Sequence, residues 1–253
     1  MKDSSYRGNT LVMEILITND DGITNEGIIE LAKWASTLGN VMVVAPEAEQ
    51  SGKSTSINLK TSFRVRKADF PVPGVRAWAA ELSPADCVAF AVHQLGIRPD
   101  YVFSGINRGY NIGRDISYSG TCGAIFEAGS LGYRAVAFST RLRSLPSAVN
   151  NLQKSWDFVI SNKLFDKHLI WNINYPEIPA KNMEMRFVRQ GGIFLSDHFD
   201  KLDENTYKRN RFHGLEFTDV TTDIKTVLDG HIAITPMTID QTDYSVLSSL
   251  TTE

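Results

Sequence analysis

Residues 13–18, 41–45 and 101–103 are short, mostly apolar runs, and each gives way to a polar or turn-forming segment after a few residues. After the first run, Ile28, Leu31, Ala32, Ala35 and Leu38 recur at helical spacing up to Gly39. A strand, a loop and a helix therefore lead into a second apolar strand that stops at Pro46. This is a βαβ unit, whose strands run parallel and whose crossover is right-handed. An open parallel sheet binds its ligands beyond the carboxyl ends of its strands, so the loops at those ends are where function is to be sought.

The alternation continues along the chain. Residues 56–80 change character: alternating runs at 62–67 and 75–80, separated by Pro71 and Pro73-Gly74, predict an excursion of antiparallel strands. Ser83-Pro84-Ala85-Asp86 joins a capping serine, a proline at the first helical position and an acid at the third, opening a helix through Leu95. Residues 101–103 give the third parallel strand, 104–120 a long Gly/Asn-rich loop, 121–131 a helix and 135–138 the fourth strand. A helix at about 148–160 and a strand at 169–174 follow. Beyond 184 the pattern loosens, with strands expected at 185–188, 192–195 and 231–235 and a projecting hairpin or arm at 197–211. The predicted fold is α/β, a Rossmann-like, mostly parallel sheet flanked by helices, with a less regular β-rich C-terminal region. The expected division is an N-terminal extension at 1–12 ahead of Met13, a core at 13–183 and a C-terminal subdomain at 184–253.

Composition narrows the function classes. At 42% hydrophobic and 22% charged residues, the 253-residue chain has an ordinary globular balance, and no apolar run approaches the roughly 20 residues a membrane span needs. A formal charge of −3 offers no general attraction to nucleic acid. Only two cysteines, Cys87 and Cys122, occur, both in helix-like segments, and no signal-peptide pattern precedes them. Reduced thiols in a cytoplasm are the expectation.

Four polar segments fall at or just beyond strand ends: Asn19-Asp20-Asp21-Gly22, Gln50-Ser51-Gly52, Ser104-Gly105-Ile106-Asn107 and Tyr118-Ser119-Gly120-Thr121. Asp-Gly is a common hairpin turn, but here a helix-period segment follows, and adjacent carboxylates in a βα loop repel unless a cation lies between them. Oxygen ligands suit Mg²⁺ or Mn²⁺ better than Zn²⁺. Ser51-Gly52-Lys53-Ser54 is not a P-loop, because Glu47 stands where the first glycine belongs, and an ordinary turn explains it equally well alone. The glycines from 105 to 113 do not form the dinucleotide fingerprint, which argues against hydride transfer. Asn107 and Asn111 also fit as turn residues, and Ser119-Gly120-Thr121 reads as a helix cap, an anion site or both. The five histidines, at 93, 168, 198, 213 and 231, share no ligand spacing and read as structural.

At these residues the chain resembles the SurE family, stationary-phase survival proteins with 5′-nucleotidase activity. The match runs through residues 15–22, Ser83-Pro84-Ala85-Asp86-Cys87-Val88, Ser104-Gly105-Ile106-Asn107, Tyr118-Ser119-Gly120-Thr121 and Ile234-Thr235-Pro236. The resemblance implies a metal-dependent hydrolase of nucleoside 5′-monophosphates, with one Mg²⁺ or Mn²⁺ per subunit. It also implies a homodimer or homotetramer that exchanges C-terminal elements. By position, the metal ligands are Asp20, Asp21, Ser51 and Asn107, and the phosphate meets Ser51, Asn111, Ser119, Gly120 and Thr121. Asp20, Asp21, Asn111 and Ser119 are the catalytic candidates, with the choice of aspartate acting on water left open. Departures from the family pattern stand at Lys53, Leu82, Cys122 and Thr238, none of them a predicted ligand. The rival readings are a non-catalytic nucleotide-binding regulatory protein and a nucleotide-sugar or dinucleotide enzyme on a similar sheet.

Overall fold

A computed structural model describes residues 12–212 and 216–251, with the Thr251 side chain left out. Residues 1–11 of the expected extension and His213 lie outside that range. The strands are β1 (Met13–Thr18), β2 (Gly39–Pro46), β3 (Val65–Ala68), β4 (Arg76–Ala80), β5 (Tyr101–Arg108), β6 (Arg134–Thr140), β7 (Ile170–Tyr175), β8 (Met185–Phe187), β9 (Ser196–Lys201), β10 (Tyr207–Phe212) and β11 (Ile232–Pro236). The helices are α1 (Glu26–Ala35), α2 (Pro84–His93), α3 (Gly120–Ser130), α4 (Leu145–Val149), α5 (Leu152–Ser161), α6 (Leu164–Lys167), α7 (Asp223–Leu228) and α8 (Tyr244–Thr251).

Among the described residues nine strands form one sheet in the order β3-β4-β2-β1-β5-β6-β7-β11-β8, and β9 and β10 form a separate hairpin. Within the large sheet only β3 against β4 and β11 against β7 run antiparallel. The period-2 alternation of the strands divides their side chains between two layers. Ile15, Ile17, Val41, Val43, Phe103, Val136 and Phe138 pack with α1, α4, α5 and α6. Leu16, Met42, Val44, Val102, Ala135 and Ala137 pack with α2 and α3. A third cluster, including Ile112, Phe194, Ile224, Val227 and Ala233, joins the C-terminal region to the loop after β5. No helix among the described residues is long and apolar enough to cross a membrane.

The topology places the site. From β1 the chain moves outward through β2 to β4, then returns to lay β5 on the other side of β1. The strand order therefore reverses between β1 and β5, and the loops leaving these strands diverge there, which is the crevice such a sheet uses for ligands.

Three local expectations are corrected. Residues 76–80 belong to the main sheet, since β4 pairs parallel with β2 and only β3 turns back on it. Residues 192–195 form no strand: Gly192 gives its carbonyl to the Arg114 N–H at 2.8 Å, and Phe194 is buried in the third cluster. The helix expected at 148–160 is two helices, α4 and α5, separated at Asn150 and Asn151. The expected arm at 197–211 is the β9–β10 hairpin. Residues beyond 184 also extend the main sheet, through β8 and β11.

Candidate active site

The loop after β1 turns at Gly22, whose φ of +97° suits glycine. The Asn19 side chain donates to the Gly22 carbonyl at 2.9 Å, fixing the turn. The loop after β2 is tied to it, because Gln50 N–H donates to the Asp20 carbonyl at 2.7 Å. From the other side, the register of β5 on β6 slips between Ser104 and Asn107, an irregularity of the kind that re-aims side chains at strand ends. The N-terminus of α1 presses on this end, since a Cβ on Gly27 would lie 2.1 Å from the Ile106 carbonyl oxygen.

These loops enclose a cavity of about 510 Å³ lined by Asp20, Asp21, Ser51, Asn107, Asn111 and Ser119 among others. Asp20 is nearly inaccessible. Its Oδ1 accepts the Thr121 hydroxyl at 2.6 Å and its Oδ2 the Thr121 N–H at 3.2 Å. Burial pushes the Asp20 carboxyl above its ordinary range, and the Thr121 bonds pull partly back. Asp21 accepts the Arg108 N–H through Oδ2 at 3.1 Å. Burial first and the charge of Asp20 second push the Asp21 carboxyl up to about 6. Two adjacent carboxylates held in this way repel, and a divalent cation is the ordinary chemical relief.

The neighbouring donors fit such an ion. Asn107 spends its amide N–H on the Gly109 carbonyl at 2.7 Å, which leaves its Oδ1 as an acceptor. Ser51 stands at the exposed rim and donates its hydroxyl proton to Glu49 at 2.7 Å, keeping lone pairs for a ligand. Two carboxylates, an amide oxygen and a hydroxyl make a hard-oxygen set of the kind Mg²⁺ and Mn²⁺ take. Among the described residues no three His, Cys, Asp or Glu side chains gather as a metal cluster. The set here contains only two carboxylates, so that absence does not touch it.

Gly120 and Thr121 occupy a different place from the other predicted residues. Neither lines the cavity. Thr121 is fully buried with its hydroxyl committed to Asp20. Gly120 lets α3 approach, because a Cβ there would lie 2.9 Å from the Asp20 Cβ. The N-terminus of an α-helix attracts an anion, and at α3 the anion present is the protein's own Asp20. Ser119 caps the same helix by accepting the Cys122 N–H at 3.0 Å, and it lines the cavity.

Sequence reasoning missed Arg108, Tyr110, Asp115, Phe194 and Arg211, which also line the cavity. Arg211 arrives on β10 and pairs with Asp115 in the turn before α3 and, at 3.0 Å, with Asp197. Asp223, at the start of α7, is a buried carboxylate that accepts the N–H groups of Gly113 (2.9 Å), Gly191 (2.8 Å) and Ile224 (2.8 Å). It thereby staples the C-terminal region to the loop that carries Asn111. Burial raises its carboxyl above the ordinary range, and those three bonds oppose the rise.

Comparison with known proteins identifies what this geometry resembles. The family described as "Survival protein SurE" matches residues 15–196. A protein of Brevibacillus brevis named 5′-nucleotidase SurE is 36% identical over 254 residues, covering 94% of this chain and 95% of its own. One of Hyphomonas neptunium with the same name is 34% identical over 252 residues, covering 94% and 98%. The crystal structure of the SurE protein from Aquifex aeolicus superposes with a TM-score of 0.79 at 29% identity, over 94% of this chain and 98% of that one.

Proposed function

The chain belongs to the SurE family, and from this premise we propose that it is a metal-dependent 5′-nucleotidase, releasing phosphate from nucleoside 5′-monophosphates. The observation that carries the reading is the convergence of Asp20, Asp21, Ser51 and Asn107 on one cavity where the strand order reverses. Relatives that share most of their length with this chain bear the name 5′-nucleotidase.

Asp20, Asp21, Ser51 and Asn107 would hold one Mg²⁺ or Mn²⁺ per subunit. When bound, such an ion supplies Lewis-acid polarisation of a phosphoryl oxygen and activation of the attacking water. The protein's own groups do the rest. Asn111 and Ser119 donate hydrogen bonds to the phosphoryl oxygens, where charge is redistributed as the bond to the leaving oxygen breaks. Both oxygens of Asp20 are engaged by Thr121, whereas Asp21 keeps Oδ1 available. Asp21 is therefore the carboxylate that orients the water and accepts its proton. The water oxygen bonds to phosphorus as its proton passes to Asp21, and the bond from phosphorus to the 5′ oxygen breaks. That oxygen is protonated from solvent, to which Asp21 returns the proton it accepted, so that the nucleoside hydroxyl leaves. We also place the protein in the cytoplasm as a homodimer or homotetramer joined through residues 184–253, where Phe199, Leu202 and Tyr207 of the hairpin region and Tyr244, Val246 and Leu250 of α8 are exposed.

The test is phosphate release from nucleoside 5′- and 3′-monophosphates by metal-stripped protein, with Mg²⁺, Mn²⁺ or chelator added back. The expected result is turnover of 5′-monophosphates that chelator abolishes and either metal restores. Nucleotide binding with no phosphate release under any metal would replace this reading with a regulatory module.

A further inference from the structure

On β7, Trp171, Ile173 and Tyr175 face the layer of α1 and α5, as period-2 alternation requires. The positions between them are Asn172 and Asn174, both fully buried. Amides on the interior of a strand are costly unless hydrogen-bonded, so their partners define their role. Both serve one residue. Asn174 accepts the Asn111 backbone N–H through Oδ1 at 2.9 Å and donates through Nδ2 to the Asn111 carbonyl at 2.9 Å. Asn172 donates to the same carbonyl at 2.8 Å. On β6, the buried Ser139 accepts one N–H of the Asn111 side chain at 2.8 Å.

The backbone N–H, the backbone carbonyl and one amide hydrogen of Asn111 are thus all fixed by buried side chains of β6 and β7. An amide nitrogen carries two hydrogens, so one remains, on a residue that lines the cavity. A loop left to itself would not hold a lone donor steady, and a donor to a transferring phosphoryl group works only when prepositioned.

Resting on the nucleotidase reading above, we propose that Asn172, Asn174 and Ser139 are positioning residues that aim the remaining Asn111 N–H at the phosphoryl group. They act through Asn111 and touch neither substrate nor cation. The groups proposed to hold the cation lie on the loops after β1 and β2 and at the end of β5, so metal affinity and phosphate affinity separate in the variants.

The experiment compares Asn174→Ala, Asn172→Ala and Ser139→Ala with the wild-type full chain. It reads kcat and KM for a nucleoside 5′-monophosphate at saturating Mn²⁺, inhibition by inorganic phosphate, and Mn²⁺ affinity by titration. The expected result is a loss of about 10- to 100-fold in kcat/KM and weaker inhibition by phosphate, with Mn²⁺ affinity unchanged. Wild-type kcat/KM and phosphate inhibition in folded variants would overturn the proposal, as would a loss of phosphate affinity matched by an equal loss of Mn²⁺ affinity. Ser139→Ala removes a single oxygen and decides the matter if Asn174→Ala does not fold. Should the wild-type protein hydrolyse no nucleotide, the nucleotidase reading fails by itself, and inorganic phosphate binding still tests the role of these side chains.

Discussion

Asp20→Asn is expected to lower phosphate release by about a thousandfold, the scale on which removing a focused electrostatic contribution acts. The same variant should leave the melting temperature of the metal-free protein within a few degrees of wild type. The reasons are separable. Asn keeps an oxygen for the Thr121 hydroxyl, which now reaches Asp20 Oδ1 at 2.6 Å, and gives up only the longer bond from the Thr121 N–H to Oδ2 at 3.2 Å, a loss set against the relief of a buried charge. It loses the charge on which cation binding depends. The carboxyl of Asp20 is raised above its ordinary range by burial. A folded pKa above the unfolded one means that the ionised form of Asp20 opposes folding, an opposition lifted as pH falls through the folded value. Removing the charge therefore relieves the metal-free fold while disabling the site. Mg²⁺ should raise the melting temperature of the wild type and not of the variant, since only a state that binds the ion is stabilised by it. Asp20→Asn with wild-type turnover would remove Asp20 from the mechanism.

The largest effect on stability is expected from Phe103→Ala. Phe103 is fully buried on β5, between β1 and β6 in the sheet. Its ring stacks on Trp34 of α1 at 5.6 Å and meets Phe138 edge-on at 5.5 Å and Trp156 of α5 at 5.4 Å. The truncation removes the group on which two helices rest and leaves a cavity that the surrounding strands cannot close. Such changes cost about 3–5 kcal/mol, a large share of the roughly 5–15 kcal/mol that holds a domain together. For a chain of this length the melting temperature should fall by roughly 10 °C. Phe103→Leu, which keeps most of the volume, should cost under about 1.5 kcal/mol. A thermal melt by circular dichroism reads both variants, and a Phe103→Ala protein within a degree of wild type would contradict this account of the core.

The parts of the fold legible in the sequence are those encoded locally. Asp20 and Asp21 could be placed in a βα loop because an apolar strand ends just before them and helical spacing begins just after. Ser83-Pro84 and Ser119 announced α2 and α3 through cap chemistry that needs no tertiary partner, and Ser83 and Ser119 do accept the N–H groups of Asp86 and Cys122. Long-range pairing was not legible. The alternating runs on either side of Pro73-Gly74 look like a hairpin, and β3 does pair antiparallel with β4, but the parallel partner β2 lies more than 30 residues away. Gly192 to Leu195 carries a strand-like pattern because Phe194 is buried, yet the Gly192 carbonyl accepts the Arg114 N–H, and the side chain of Gln190 just before it donates to the Gly113 carbonyl.

The same limit applies to the site. The family resemblance puts Thr121 against the phosphate, and only the packing of α3 on the end of β1 shows that its hydroxyl is spent on Asp20. Nothing local singles out Asp223, which follows two threonines in a polar stretch. Its clamp on Gly113 and Gly191 depends on residues 110 and 32 positions away. Arg211 ends a polar stretch expected to form a projecting hairpin or arm, and only the packing of that hairpin brings it to the cavity.

The central claim is that the Asp20–Asp21 pair holds a divalent ion, and the most direct test is a Mn²⁺ titration of metal-stripped protein at about pH 7.5 and about pH 5, repeated with Asp20→Asn. Burial and the neighbouring Asp20 raise the Asp21 carboxyl to about 6, so at the lower pH a proton competes with the ion. The predicted result is one Mn²⁺ per chain near neutrality, an affinity about tenfold weaker at pH 5, and no binding by Asp20→Asn. Mn²⁺ binding that neither the drop in pH nor the loss of the Asp20 charge weakens would contradict it.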